Sequence, residues 1–148
     1  MRALIQRVSQ ASVSIAGSPY SNIGPGLLIL LGIEREDDSE DLTWLSNKIV
    51  QMRLFEDSEG KMNKSIMDVS GELLIVSQFT LYASTKKGNR PSFIKSAKPA
   101  HALPIYHQFI EQCALHVPVS TGEFGAMMNV SLINDGPVTI WLDSKRRE

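Results

Sequence analysis

The chain has 148 residues, 43% of them hydrophobic, a formal net charge of −1 and one cysteine. That is enough apolar content for one ordinary core and too little for two comfortable domains, so residues 1–148 read as a single domain. Near-neutral charge excludes a generally basic nucleic-acid coat, no apolar run approaches the roughly 20 residues of a membrane span, and Cys113 has no partner for an intrachain disulfide.

The opening MRALIQRVSQ alternates polar and apolar residues instead of running from a basic stretch into an apolar one. No secretory signal is expected, and the expected compartment is the cytoplasm. RALIQRVSQASVSI reads as a long strand with an irregularity in its middle, after which Val13 and Ile15 resume the alternation. SNIGPG is turn chemistry, and LLILLGI is a continuous apolar run that predicts a central strand buried on both faces. Leu42, Leu45, Ile49 and Met52, spaced by three and four, predict an amphipathic helix over 41–55, and the acids before it suit a helix N-terminus. EDSEGKMN reads as a hairpin-like turn, and GELLIVSQFTLYA as a strand running on into polar residues. A second helix is expected within 99–117, with Leu103, Tyr106, Ile110 and Cys113 on one face and Pro104 in its first turn. MMNVSLINDGPVTIWLDS reads as two β-patterned runs joined through NDGP. Strands outnumber helices and the helices come singly, so the expected class is α+β.

Charge is unevenly placed. Six acids and one base lie between Glu34 and Asp41, whereas Leu73 to Ile110 holds no acid but contains Lys86, Lys87, Arg90, Lys95 and Lys98. The latter segment is either a solvated lysine-rich loop or a source of positive potential for a phosphate-bearing substrate. Lys145, Arg146 and Arg147 form a further basic cluster.

Candidate chemistry narrows quickly. His101, His107 and His116 include no pair at the i, i+4 spacing that would place two imidazoles on one metal, so no metal site is expected. The GPG at 24–26 precedes a strand, whereas phosphate-cradling loops precede a helix. No GxSxG elbow and no Ser/His/Asp order is present. Two elements remain. Ser77, Gln78 and Thr80 in SQFTL either hydrogen-bond a substrate or close off a strand edge. Asn134 to Thr139, NDGPVT, is either a short turn or a loop whose Gly136 admits close approach and whose Gly-Pro bond, if cis, turns both carbonyls to one side.

MRALIQRV, SQFTL, GNRPSF, TGEFGAMM and NDGPVT, in this order along the whole chain, resemble the D-aminoacyl-tRNA deacylase family. The animal-type relatives that clear mischarged L-alanine differ at the first motif. The resemblance implies a β-rich, barrel-like core with two main helices, a homodimer, and hydrolysis of the ester bond of D-aminoacyl-tRNA without a cofactor or metal. It implies catalytic roles for Ser77, Gln78, Phe79 and Thr80, and a substrate-facing Gly136-Pro137 bond that is cis and reaches into the partner subunit's site. Phe124 and Met128 become pocket walls, Arg7 and Asn134 braces of the Gly-Pro loop, and Lys86, Lys87 and Arg90 partners of the tRNA backbone. Specificity follows by rejection of an L side chain, which leaves Gly-tRNA as a substrate. A nucleic-acid-binding module without turnover is the alternative from another class, supported by the basic 86–98 segment alone.

Overall fold

The computed structural model describes residues 1–147. The opening alternation becomes β1 (Arg2–Ile15), and its irregularity has a clear consequence. Met1, Ala3 and Ile5 point into one apolar cluster, whereas Val8, Ala11 and Val13 point into a second. Between the two sets the pairing with β8 (Asn129–Asp143) slips on both sides of Val8. Such irregularities turn a strand locally, and here they let one strand serve two cores.

β2 (Ser18–Ile23) pairs antiparallel with the second half of β1, and β3 (Gly26–Gly32) with the first half. SNIGPG is therefore turn only at its end, because its first half belongs to β2. β2 is mostly exposed, so its polar composition hid the strand. β3 runs parallel to β6 (Glu72–Ser77), which runs parallel to β7 (Val119–Thr121). Parallel neighbours need long crossovers, and the two helices supply them. α1 (Ser39–Gln51) lies between β3 and β6 in sequence, and α2 (Pro99–Ala114) between β6 and β7. Leu45 and Ile49 of α1 join Tyr106, Phe109 and Cys113 of α2 in the larger cluster, against Leu27, Ile29 and Leu31 of β3. The sheet order is β2-β1-β3-β6-β7, with β8 also on β1, and a small hairpin pairs β4 (Phe55–Glu56) with β5 (Met62–Lys64). The result is an α+β fold with a barrel-like sheet and two helices.

α1 starts earlier than its apolar spacing predicts. Asp38 accepts hydrogen bonds from the amides of Glu40 (2.9 Å) and Asp41 (3.2 Å), and the Asp41 carboxylate answers the Asp38 amide at 3.1 Å. This reciprocal cap uses part of the acidic run. Pro104 sits beyond the first turn of α2, not within it, because the helix already begins at Pro99. The carbonyl its missing N–H would have faced belongs to Ala100, which is exposed in the first turn.

The C-terminal runs are not two strands of a hairpin. β8 is one 15-residue strand along β1, and Val8 faces Asn134 while Gln6 faces Thr139. One residue, Arg7, thus stands opposite the four residues Asp135–Val138, which loop out of the ladder.

Candidate active site

β6 delivers Ser77 to the end of the sheet, where the Gln78 amide makes a last ladder bond to the Leu31 carbonyl at 2.7 Å. The chain then coils into a 3-10 turn, Phe79–Tyr82, so the strand does not continue through SQFTL. Gly32 makes this possible: a Cβ there would lie 3.1 Å from Leu81 Cβ and 3.2 Å from the Gln78 carbonyl. Gln78 Nε2 donates to the Thr80 hydroxyl, and Ser96 Oγ donates to the Phe79 carbonyl at 2.9 Å. The turn has no side-chain cap, and the amides of Phe79 and Thr80 have no hydrogen-bond partner among the described residues. Phe79 lines a cavity and Thr80 follows it without lining it; two adjacent free N–H groups so placed are suited to hold developing negative charge on an oxygen.

That cavity, of about 540 Å³, lies between the turn and the 124–128 segment. Ser77, Gln78, Phe79, Phe124 and Met128 all line it, and most of its wall is apolar. Phe79 is 55% exposed at its rim and takes the Phe93 ring edge-on at 5.1 Å. Phe124 rests on Tyr106 at 5.6 Å, and the Tyr106 hydroxyl donates to the Ile75 carbonyl at 2.8 Å, with burial pushing its pKa up. Met128 folds over Gly122, where a Cβ would lie 2.6 Å from its Sδ. Nothing in the chain order marks Gly32, Gly122 or Tyr106 as parts of the site. The two glycines stand inside or beside legible motifs, but only the packing shows what each makes room for.

The 135–138 loop is held from within its own chain. Asn134 Nδ2 donates to the Arg7 carbonyl (3.0 Å) and the Val138 carbonyl (2.9 Å), closing the loop at its neck, and Thr139 Oγ1 donates to Asn134 Oδ1 at 3.1 Å. Arg7 is 6% exposed, an unusual site for a guanidinium. Its Nη1 donates to the Leu54 carbonyl at 2.6 Å, and its Nε lies 3.1 Å from Asp135 Oδ2 at an angle that leaves the Nε–H unbonded. Gly136 has φ +116° and no room for a side chain: a Cβ would meet Val138 Cγ2 at 2.8 Å and both Arg7 Nη2 and the Val138 amide at 2.9 Å. The Gly136-Pro137 peptide bond is cis.

Within one chain these two assemblies remain apart. Gly136 and Pro137 are exposed and do not line the cavity that Ser77, Gln78 and Phe79 line. Lys86, Lys87 and Arg90 are exposed on a loop closed at its base by paired backbone bonds between Ser84 and Ser92, 2.8 and 2.9 Å. The same loop continues to Phe93 and Ser96, both on Phe79, so the cations are anchored one step from the cavity rim. No group of three His, Cys, Asp or Glu able to hold a metal occurs among the described residues.

Residues 4–143 match the family model described as D-Tyr-tRNA(Tyr) deacylase. A D-aminoacyl-tRNA deacylase of Akkermansia muciniphila is 59% identical over 100% of both chains, and one of Bacteroides fragilis is 57% identical over the same extent. Among solved structures, one titled c-Myc DNA Unwinding Element Binding Protein superposes with a TM-score of 0.92 at 44% identity, covering 97% of this chain and 98% of that one. A second, titled as a probable eukaryotic D-amino acid tRNA deacylase, shares the fold at TM-score 0.79 and 18% identity, over 95% and 97% of the two chains. With the match spanning nearly every residue, the chain belongs to the D-Tyr-tRNA(Tyr) deacylase family and is an ester-bond hydrolase of the D-aminoacyl-tRNA deacylase class.

Proposed function

We propose that the chain, acting over residues 1–148 as one catalytic domain, removes D-amino acids from tRNA at a site shared between two copies, selecting by rejection of the L configuration. The observation that carries this reading is the division of labour within one subunit. The cavity and its free amides lie at one place, and the braced, outward 135–138 loop lies at another with nothing of its own chain to act on. A second copy supplies the missing half. Among the described residues β8 pairs with β1 alone and leaves its other edge open, with Ile133 53% and Trp141 48% exposed. Open apolar edges are costly in isolation, which supports a homodimer.

In this reading Ser77, Gln78, Phe79 and Thr80 form the catalytic turn, and the Phe79 and Thr80 amides hold the carbonyl oxygen of the ester. Phe124 and Met128 wall the acyl pocket. The partner's loop presents Gly136 and Pro137 to the α-carbon, with the amino group on the loop's carbonyl oxygens. A D side chain leaves toward solvent, whereas an L Cβ is driven into backbone. That backbone cannot retreat, because Arg7 Nη2 and the Val138 amide already enclose Gly136. Glycine carries no Cβ and is accepted.

Hydrolysis proceeds by attack of water on the ester carbonyl, with the 2′-hydroxyl of the terminal adenosine assisting proton transfer to the departing 3′-oxygen. Thr80 is a weaker candidate for nucleophile, since its hydroxyl accepts from Gln78 and, among the described residues, no hydrogen bond from it reaches a basic group. Aminoacyl esters are activated already, so positioning and oxyanion stabilisation suffice. Lys86, Lys87 and Arg90 take backbone phosphates, and the expected setting is the cytoplasm, where charged tRNA is used. No helix among the described residues is long and apolar enough to cross a membrane.

The deciding experiment is deacylation of D-Tyr-tRNA, L-Tyr-tRNA and Gly-tRNA. Cleavage of the first and third, with the second intact, is expected. Protection of Gly-tRNA at enzyme levels that clear D-Tyr-tRNA would replace rejection with positive side-chain recognition. Cleavage of L-Ala-tRNA would instead indicate the animal-type specificity. The relative titled as a DNA unwinding element binding protein, with the basic 86–98 loop, favours a second reading as a nucleic-acid-binding module. Binding of tRNA without turnover of any ester would support it.

A further inference from the structure

Arg2 is the first residue of β1, with Gly32 of β3 on one side of it and Asp143 of β8 on the other. We infer that Arg2 is a positioning residue for deacylation, acting through the 79–82 turn; the inference rests on the site assignment proposed above.

The guanidinium reaches across from β1 to the turn. Its Nη1 donates to the Leu81 carbonyl at 2.9 Å, its Nε donates to Asp143 Oδ2 at 2.9 Å, and its carbon lies 4.3 Å from the centre of the Tyr82 ring. The Trp141 ring centre lies 5.6 Å from the same carbon. Asp143 is fixed in its turn, because its second oxygen accepts the Lys145 amide at 3.0 Å. Burial opposes ionisation of Asp143, but the bonds from Arg2 and the Lys145 amide outweigh it and hold its pKa below the ordinary range. The carboxylate therefore orients the planar guanidinium fork, and the fork orients the turn.

Besides the buried Tyr82 ring and the packing of Leu81 and Tyr82 over Gly32, polar anchors of this end of the turn are few. Two side-chain hydrogen bonds reach its backbone among the described residues, Ser96 to the Phe79 carbonyl and Arg2 to the Leu81 carbonyl. The Tyr82 hydroxyl is buried without a hydrogen-bond partner among the described residues, so Tyr82 holds the turn by packing and adds no polar anchor. A cation bonded to a late carbonyl is the favourable arrangement for any helical turn. The free amides of Phe79 and Thr80 belong to the same four residues, so a tilt of the turn about its loosened end moves both donors together. Displacements near 1 Å at a reacting centre cost rates up to about 10²-fold.

The test compares Arg2→Met, Arg2→Lys and Asp143→Asn with the wild type, measuring kcat and KM for D-Tyr-tRNA together with the folded fraction at the assay temperature. Arg2→Met keeps the apolar stem and removes the fork; kcat is expected to fall about tenfold with KM within about twofold, since the interaction serves the reacting geometry and not binding. Arg2→Lys recovers only part of kcat, because one ammonium cannot reproduce the planar fork between Leu81 and Asp143. Asp143→Asn lowers kcat less, and its effect is not additive with Arg2→Met. An Arg2→Met protein that is fully folded with unchanged kcat overturns the inference, as does a loss wholly explained by the unfolded fraction or confined to KM. If Arg2→Met does not fold, Arg2→Lys and Asp143→Asn decide by the same criteria. Failure of the wild type to cleave D-Tyr-tRNA would count against the proposed function itself, whereas normal wild-type turnover with silent variants removes only the role of Arg2.

Discussion

Thr80 and Gly136 separate the competing accounts of the chemistry. A covalent mechanism needs the Thr80 hydroxyl, whereas a water mechanism needs only the position of its backbone. Thr80→Ala is therefore expected to keep deacylation within about tenfold of wild type, while Gln78→Ala loses about 10²-fold or more. Initial rates with D-Tyr-tRNA check both, and complete loss in a folded Thr80→Ala protein would establish the nucleophile. Gly136→Val is expected to lose activity to at least the same degree. Its Cβ would stand 2.9 Å from the Val138 amide and 2.9 Å from Arg7 Nη2, and a φ of +116° strains any side chain. Cys113 makes a separate residue-scale prediction. It is fully buried, and burial pushes its thiol up to about 12, so thiol alkylation at neutral pH should follow unfolding and not precede it.

The clearest element-scale feature is the meeting of α1 with the basic end of the chain. Asp41 accepts from Ser144 Oγ (2.7 Å) and lies 2.5 Å from Lys145 Nζ, while Ser144 Oγ also accepts from the Met1 amine, itself paired with Asp37 at 2.5 Å. Burial disfavours the Asp41 carboxylate, yet the bonds from Lys145, Ser144 and the Asp38 amide prevail and bring its pKa down from 3.8 to about 2. A depressed carboxylate stabilises the fold fully above its unfolded pKa and loses that contribution as pH falls through the folded value. Asp41→Asn should thus cost about 1–2 kcal/mol near pH 6, with the gap to wild type closing between about pH 4 and pH 2 in chemical denaturation. The 84–92 loop makes a different prediction. Replacing Lys86, Lys87 and Arg90 together with Gln should raise KM for tRNA and flatten its salt dependence by roughly 0.7–0.9 in logarithmic slope for each phosphate no longer neutralised. An unchanged salt slope would remove the loop from the RNA interface.

At the scale of the whole molecule, the site proposed to be shared between subunits would require two copies. Sedimentation should give about twice the chain mass of 16.4 kDa, and a fully active monomer would overturn the arrangement. The substrate is asked to contribute as well. D-Tyr-tRNA ending in 2′-deoxyadenosine, with the ester on the 3′-oxygen, should bind normally and react slowly. Normal turnover would return the proton transfer to the protein.

The sequence by itself determined the class of the fold, the long irregular β1, the two-sided β3, both helices and the identities of the motif residues. These are local properties: periodicity marks an element when one of its faces meets a core, and a motif is legible when its residues are neighbours in the chain. The polar, exposed β2 and the short β7 escaped because neither presents a regular apolar face. Only the tertiary structure decided that NDGPVT bulges from one continuous strand, since the pairing of Asn134 and Thr139 with Val8 and Gln6 is a fact about register across the sheet. Only packing could show that Gly32 and Gly122 exist for the atoms lying over them, or that Arg7 is buried beneath Gly136. Arg2 is the furthest case: an arginine alternating on a strand looks like solvated surface until the fold brings Leu81, Tyr82 and Asp143 around it, from 79 to 141 residues away in the chain.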